Sequence, residues 1–391
     1  MNRIILLIVL IFQSLNLLAQ KAELTSAILS FRKQDMITSK NYILKAEQKI
    51  NEGGTLKVKD LSKLYYHKGL VFYNQYYSNI DNIDILDNLT NLNISYESFK
   101  KDVYLESSSY KDKSMIEIKR CSQSFNDLAY KAYESKDFSS ATIFFEKVYS
   151  INSLDFFNYV DTMSLYNASV SAIQDSNPEK SISILEKLIT IDSLNGDYYL
   201  NLIKEYIKIG DTKKRFSTIS RGRSNIPQNT AIIFEEVNYY LEFNKNNELL
   251  EVLDIAIKAD PNNKVLYFAK GSTLTTEKKY EMARIAYEKS IEIDSNYFDA
   301  YNNLASLYLD QAIPIIEKMN KLGISASDQK QYDILKNKRN NLYKKAKPYL
   351  INASRIDSSA IQVLKALKDV CYQTDDIDCF KDINERLKYI N

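Results

Sequence analysis

The feature that most constrains this sequence is a pattern that recurs every 34 residues. Four segments begin at Gly196, Thr230, Lys264 and Phe298, each 34 residues after the one before. Each holds two stretches with apolar residues at helical spacing, followed by a turn. The turns keep the same interval, at Ser193, Pro227, Pro261 and Ser295. One such helix pair cannot bury its apolar side alone, so we expect the pairs to stack in a row.

The segment Lys264–Tyr297 resembles the tetratricopeptide repeat family. That family places a small residue at position 8, alanine at position 20 and an aromatic residue at position 24, and Gly271, Ala283 and Tyr287 match these. Ser122–Asp155 and Thr162–Asn195 resemble further copies. The resemblance implies an all-α fold, a right-handed solenoid of antiparallel helix pairs with about eight or nine hairpins. Low counts of glycine (8) and proline (5) agree, because they disfavour the many tight turns of a β-sandwich.

Two repeats depart from the family where the paired helices touch. Positions 8 and 20 are Ile203 and Arg215 in one repeat, and Val237 and Leu249 in the next. Because both partners are larger than the family's small residues, we expect wider separation within these two helix pairs.

The repeat that begins at Phe298 is split by extra residues. Apolar residues continue at helical spacing to Met319, and a second stripe runs from Tyr332 to Ala346. Gly323 and Ser325 between them suit a helix end and a helix start. The pattern predicts a long helical hairpin that projects beyond the repeats, either as a docking arm or as a stabilising cap.

These patterns divide the chain into five segments. We predict a signal peptide (1–19), degenerate N-terminal hairpins with an Asn/Asp-rich insertion (20–121), a core repeat array (122–308), the inserted hairpin (309–345) and C-terminal repeat helices with a cap (346–391).

The N-terminus is typical of an exported bacterial protein. Arg3 precedes an apolar run from Ile4 to Phe12, and Ala19 is a suitable small residue at a cleavage point. The run is shorter than the roughly 20 residues that a membrane span needs. We therefore expect a periplasmic or envelope-associated protein without a transmembrane span once the signal is removed, similar to exported repeat proteins of Bacteroidota.

Three cysteines are too few for a disulfide framework. Cys371 and Cys379 lie where two helices of a hairpin would face each other, and export would permit a bond between them. Spacing alone does not fix the required geometry, so we expect two separate small buried residues instead.

The sequence lacks the residue combinations that catalysis or cofactor binding requires. His67 is the only histidine, which excludes a histidine pair for zinc. Gly53 and Gly54 are followed by no phosphate-binding lysine. Lys plus Arg (52) and Asp plus Glu (50) nearly balance and are interspersed, which disfavours nucleic acid as a partner. We expect no enzyme activity, no cofactor and no metal.

A binding surface is the remaining prediction. In the resembled family, positions 2, 5, 9 and 12 face the concave side, and we take nine such positions as partner-binding candidates. They are Asn126, Tyr130, Tyr133, Tyr166, Lys204, Phe234, Asn238, Phe268 and Asn302. The three tyrosines would form an aromatic patch for an extended peptide, or would partly pack between hairpins.

The leading hypothesis is a scaffold for protein–protein interaction that binds a protein or peptide through this groove, the inserted hairpin or both. Peptidoglycan or glycan binding by the 30 tyrosines is an alternative, although the sequence has no tryptophan. A non-catalytic accessory subunit of an envelope enzyme is another. The sequence leaves the oligomeric state open.

Overall fold

The computed structural model describes residues 21–52, 56–78 and 85–390, and this part of the chain is helical without a strand. It divides into two compact units, one ending at Asp192 and the other beginning at Ser193. The predicted signal peptide, Gly53 and Gly54 and part of the Asn/Asp-rich insertion lie outside the described residues.

The first unit contains eight described α-helices, which pair in sequence order. They are α1 (residues 21–32), α2 (Met36–Asn51), α3 (Val58–Ser78), α4 (Ile85–Val103), α5 (Lys111–Glu134), α6 (Phe138–Asn152), α7 (Thr162–Gln174) and α8 (Pro178–Ile191). A short 3₁₀ helix, Asp155–Phe157, lies between α6 and α7. Helix α5 begins 11 residues before the expected repeat start at Ser122.

The second unit contains ten helices. They are α9 (Gly196–Lys208), α10 (Thr212–Asn225), α11 (Thr230–Glu242), α12 (Asn246–Ala259), α13 (Lys264–Thr276), α14 (Tyr280–Ile293), α15 (Phe298–Asn320), α16 (Ala326–Ile356), α17 (Ile361–Gln373) and α18 (Ile377–Ile390). The described residues thus hold nine consecutive helix pairs. The predicted all-α fold of stacked helix pairs is confirmed.

The first helices of the 34-residue repeats begin where the sequence predicts. Helices α9, α11, α13 and α15 start at the four residues that define the interval. Asn195, Asn229 and Asn263 precede three of them, and each side chain accepts a hydrogen bond from a backbone N–H in the first turn. The cap satisfies a donor that the helix itself cannot pair, which fixes where each helix begins.

The turn between the two helices of a repeat uses the left-handed backbone region. Ser176, Gly210, Asn244 and Lys278 have φ angles of 55°, 71°, 51° and 57° and lie 34 residues apart. Only one of them is glycine, the residue that adopts this conformation without a steric penalty. The repeat therefore conserves a backbone shape within this chain although the side chain changes.

The spacing of the helix pairs follows the residues at positions 8 and 20. In α13 and α14, Gly271 lies against the buried ring of Tyr287, and Ala283 is fully buried beside it. The α9–α10 and α11–α12 pairs have helices of the same lengths but markedly fewer close backbone approaches. This agrees with the wider separation expected there.

Arg215 occupies a position in the α9–α10 pair that alanine holds in the resembled family. It is 5% exposed, and its Nη1 donates to Glu242 Oε2 at 2.5 Å. The guanidinium also lies 5.3 Å from the ring centre of Tyr239, while its Nε has no hydrogen-bond partner among the described residues. The large side chain is accommodated by an ion pair and an aromatic contact instead of close helix packing.

The predicted inserted hairpin corresponds to the C-terminal half of α15 and the N-terminal half of α16. These are 23 and 31 residues long, whereas α13 and α14 have 13 and 14. Ser325 caps α16. Its side chain accepts a hydrogen bond from the backbone N–H of Asp328, and the Asp328 side chain accepts one from the backbone N–H of Ser325. Pro314 and Pro348 both lie inside continuous helices.

The expectation that Cys371 and Cys379 are separate residues is wrong. Their sulfur atoms form a disulfide between α17 and α18, with the Cα atoms 5.8 Å apart. The short turn between the helices brings the two positions within bridging distance, which sequence spacing could not establish. Cys121 is a free, buried cysteine.

Candidate functional site

The nine predicted binding residues are divided between the two units. Asn126, Tyr130, Tyr133 and Tyr166 belong to the first, on α5 and α7. Lys204, Phe234, Asn238, Phe268 and Asn302 belong to the second, on α9, α11, α13 and α15.

Tyr130 is held in place on one side and open on the other. Its ring meets the Phe145 ring of α6 edge-on, with the centroids 5.2 Å apart. Its hydroxyl accepts a hydrogen bond from Asn167 Nδ2 of α7 at 3.4 Å. The residue nevertheless remains 48% exposed. Contacts on α6 and α7 thus order the ring, and the remaining half is available for a partner.

Tyr133 lies one helical turn further along α5 and is more enclosed. Its ring packs edge-on against Phe138, with the centroids 5.2 Å apart. Tyr133 and Tyr166 are both half-buried. Tyr133 thus packs between α5 and α6 and keeps part of its surface exposed.

A loop of nine residues joins α6 to α7 and adds to this surface. Phe156 and Phe157 pack against the core of the first unit, and Tyr104 donates a hydrogen bond to Asp155 Oδ1 at 2.6 Å. Once these residues anchor the loop, Tyr159 remains 58% exposed. The sequence signal for this loop is the six residues that separate the repeat ending at Asp155 from the one beginning at Thr162.

A cleft of about 440 Å³ lies among α5, α6 and this loop, with Asn126, Lys119 and Tyr159 in its lining. Two of its lining residues, Ser122 and Asn152, take part in a chain of partly buried hydrogen bonds. Ser122 donates to Asn152 at 2.7 Å, and Asn152 donates to Asp161 at 2.6 Å.

The lining of this cleft also offers polar groups to a ligand. The Asn126 amide has no hydrogen-bond partner among the described residues. Lys119 lies 5.1 Å above the Phe157 ring and has no carboxylate partner in the same part of the chain. An unpaired amide and an unpaired cation suit a peptide backbone or a polar side chain.

We call the exposed and partly exposed aromatic and thioether side chains on this side of the first unit the aromatic face. Its members are Tyr130, Tyr133, Tyr159, Met163 and Tyr166. Sequence reasoning missed Tyr159 and Met163, which is 66% exposed near the start of α7. An exposed methionine beside ordered tyrosines provides an adaptable apolar contact.

The candidates in the second unit are more dispersed. Lys204 and Asn238 are exposed, and Asn302 is half-buried. Phe234 packs against the core of α11 and α12. Phe268 is half-buried, and its ring lies 5.9 Å from that of Tyr287 and 5.4 Å from that of Tyr297.

His67 lies in an aromatic cluster away from the aromatic face. The rings of Tyr66, Tyr110 and Phe31 have centroids 5.4, 5.9 and 6.1 Å from the imidazole. Burial, with a smaller effect from neighbouring cations, lowers the pKa of His67 to about 4. Its Nδ1 is buried without a hydrogen-bond partner among the described residues.

Two further features bear on chemistry. Burial raises the pKa of the Cys121 thiol to about 12, which keeps it protonated and unreactive. Within the described residues, no group of three His, Cys, Asp or Glu side chains could hold a metal ion.

The stacked helix pairs define the described residues as part of a helical-repeat protein. Residues 286–333 match the family model of the tetratricopeptide repeat. The match covers α15 entirely and reaches into α16. A comparison with curated proteins finds no match.

Solved structures of repeat proteins show weak similarity. A MamA RS-1 double mutant shares 12% identity at a TM-score of 0.38, over 51% of this chain and 96% of its own. PilF of Pseudomonas aeruginosa shares 15% sequence identity at a TM-score of 0.39, over 59% of this chain and 91% of its own. YrrB, a TPR protein with an unusual peptide-binding site, shares 17% sequence identity at a TM-score of 0.36, over 46% of this chain and 89% of its own. These values are too low to transfer a function.

Among the described helices, none combines the length that a membrane span requires with sufficient apolar character.

Proposed function

We propose that this chain is a non-catalytic scaffold that binds an extended segment of a partner protein on the aromatic face. The observation that carries the proposal is the state of Tyr130, which is ordered by Phe145 and Asn167 yet 48% exposed. A ring that is already fixed loses little conformational entropy on binding, and tyrosine is enriched among the residues that dominate interface energies.

The polar groups next to the aromatic face support a peptide as the ligand. An extended peptide presents backbone N–H and C=O groups together with alternating side chains. The Asn126 amide can donate to and accept from such a backbone, while Tyr130 and Met163 offer apolar contact. A flat sugar ligand would instead favour broad, fully exposed aromatic rings.

We also propose that the protein is exported and acts in the cell envelope. The apolar run from Ile4 to Phe12 and the small residue Ala19 support a cleaved signal peptide. The disulfide between Cys371 and Cys379 supports an oxidising compartment, because such bonds are rare in the reducing cytosol.

Site-specific photo-crosslinking tests the binding site. A benzophenone amino acid at position 163 on the aromatic face is compared with one at position 282 on α14. The native Met163 is 66% exposed and the native Met282 is 55% exposed. We expect a protein adduct in envelope extract from position 163 and none of the same mass from position 282. Equal adducts from both positions would argue against the aromatic face.

Substitution then tests which side chains matter. Tyr130, Tyr133 and Tyr166 are changed to Ala together and compared with a control that changes Tyr77, Tyr372 and Tyr389, which are 61%, 66% and 89% exposed. We expect the crosslinked partner to be lost only from the first variant, with helical circular dichroism retained in both. Retention on insoluble cell wall by both would favour glycan binding instead.

Export is tested independently of binding. Mass spectrometry of the protein from its native cells should find Gln20 as the N-terminal residue. Recovery of the chain with residues 1–19 in the cytosolic fraction would contradict export and leave the peptide-binding proposal standing.

A further inference from the structure

The charge of α16 departs from that of the rest of the chain. The chain as a whole is nearly balanced, with 52 basic and 50 acidic residues. From Ile334 to Ile356, however, α16 contains seven Lys or Arg residues and no Asp or Glu. The expectation of interspersed charges is wrong for this helix.

Helical geometry places several of these lysines on one exposed stripe. Lys330, Ile334, Lys338, Asn341 and Lys345 follow each other at intervals of four or three residues, and all five are exposed. Such spacing keeps side chains on one side of an α-helix. Lys344 lies to one side of this stripe, and Lys336 is exposed on a different side of the helix.

The opposite side of α16 is buried. Leu335, Arg339 and Ala346 are 6%, 7% and 0% exposed. The helix is therefore fixed by this buried side, and its lysines are directed to solvent.

Among the described residues, these lysines lack the direct ion pairs that other cations of the second unit form. Lys264 pairs with Asp294, and Lys270 pairs with Asp254. Within the described residues, by contrast, Lys330, Lys336, Lys338, Lys344 and Lys345 form no ion pair. Lys347 is the exception on α16, since it pairs with Asp376. We call Lys330, Lys338, Lys344 and Lys345 the lysine face. No described carboxylate forms a direct ion pair with them, although Lys344 lines a cleft with Asp375, Asp376 and Asp378, and Lys345 lies near enough to Glu281 to lower the pKa of that carboxyl.

The same hairpin exposes isoleucines. Ile324, in the turn between α15 and α16, is fully exposed at 105%. Ile313 on α15 is 51% exposed, and Ile334 lies within the lysine stripe at 42%. Exposed apolar side chains next to unpaired lysines are the combination that surface-bound amphipathic helices present to membranes.

The type of cation indicates the partner. Lysine is depleted in protein–protein interfaces, where arginine is favoured, yet clusters of lysine attract anionic lipid headgroups without requiring a defined geometry. The guanidinium of Arg339 is buried within the hairpin, so all exposed cations from Ile334 to Pro348 are lysines.

From these observations we propose that the lysine face of α16 and the exposed turn at Ile324 bind an anionic phospholipid bilayer. The lysines lie among the headgroups, and Ile324 inserts into the boundary of the acyl region. This would hold the scaffold at a membrane surface through side chains of the hairpin. The inference does not depend on peptide binding by the first unit.

Vesicle co-sedimentation of the full chain tests the proposal. Vesicles of phosphatidylcholine alone are compared with vesicles that also contain phosphatidylglycerol. Lys338, Lys344 and Lys345 are changed to Gln in one variant, and the exposed, unpaired Lys213, Lys258 and Lys279 are changed to Gln in the control. Both variants lose three positive charges and retain the N-terminal apolar run, so only the position of the charge differs.

We expect the unaltered protein and the control to bind anionic vesicles much more tightly than neutral ones, with binding weakened by salt. The α16 variant should bind anionic vesicles on the order of a hundredfold less tightly. Changing Ile324 to Ser should reduce the binding that remains at high salt.

Three results would overturn the proposal. One is equal binding to neutral and anionic vesicles, and another is equal binding by the α16 variant and the control. The third is binding to soluble polyglutamate or DNA without binding to anionic vesicles, which would assign the lysine face to an acidic macromolecule.

Discussion

Gly271 on α13 lies directly against the ring of Tyr287 on α14. A Cβ atom at position 271 would be 2.7 Å from two ring atoms of Tyr287, whose side chain is only 1% exposed. The contact lets the backbones of these two helices approach closely. In the α9–α10 pair, Ile203 occupies the corresponding position, and the two helices make fewer close contacts.

Replacing Gly271 by Val should therefore destabilise the protein by about 2 kcal/mol, because an extra side chain in a filled site forces α13 and α14 apart. Urea unfolding followed by circular dichroism measures the change. Adding Tyr287→Leu should recover part of the loss by removing the ring. If Gly271→Val unfolds at the same urea concentration as the unaltered protein, the close packing inferred here is incorrect.

Much of the repeat could be predicted from the sequence because each helix start depends on local residues. Asn229 and Asn263 cap their helices through their own side chains, and apolar spacing marks the faces that pack. The start of α5 was misplaced because its first three turns extend the same helical pattern upstream of Ser122.

The candidate site could be predicted only in part. Tyr130 and Tyr133 follow from their positions in the repeat, but the exposure of Tyr159 depends on how Phe156 and Phe157 anchor the preceding loop. The unpaired state of the α16 lysines likewise depends on which carboxylates lie nearby in three dimensions. The disulfide could not be predicted for the same reason, since spacing along the chain does not determine distance in space.

His67 should make the protein sensitive to acid. In the folded chain, its pKa is lowered from 6.5 to about 4 by burial, and then by Arg32, Lys63 and Lys113 from three different helices. As the pH falls below 6.5, the unfolded chain takes up a proton that the folded chain does not. Stability is therefore unaffected above about pH 7 and is lost progressively between pH 6.5 and 4.

The variant His67→Phe removes the titratable imidazole and keeps an aromatic ring beside those of Tyr66 and Tyr110. Between pH 7.5 and pH 5, the unaltered protein should lose about 2 kcal/mol more unfolding free energy than the variant. Denaturant titrations at the two pH values measure the difference. Equal losses in both proteins would show that His67 titrates normally in the folded chain.

Lys278 adopts a left-handed backbone with a φ of 57°, in the place that Gly210 occupies in an earlier repeat. Because a side chain with a Cβ is strained there, Lys278→Gly should stabilise the protein by roughly 0.5–1 kcal/mol. Glu277→Gly, one residue earlier at a φ of −77°, is the matched control and should destabilise it. The urea concentration at the midpoint of unfolding measures the stability of each variant. A loss of stability in both variants would contradict the strain argument.

The disulfide between Cys371 and Cys379 closes a short loop at the last helix pair. Changing both cysteines to Ala should cost about 2.5 kcal/mol through the greater freedom of the unfolded chain, and the effect should concentrate in α18, which packs mainly on α17. Amide hydrogen exchange should rise across Ile377–Ile390 and stay unchanged in α5.

Thiol titration under denaturing conditions tests whether the bond itself forms. We expect one free thiol before reduction, from Cys121, and three after it. Three thiols without reduction would show that the bond does not form, and the support it gives to an exported protein would then be lost.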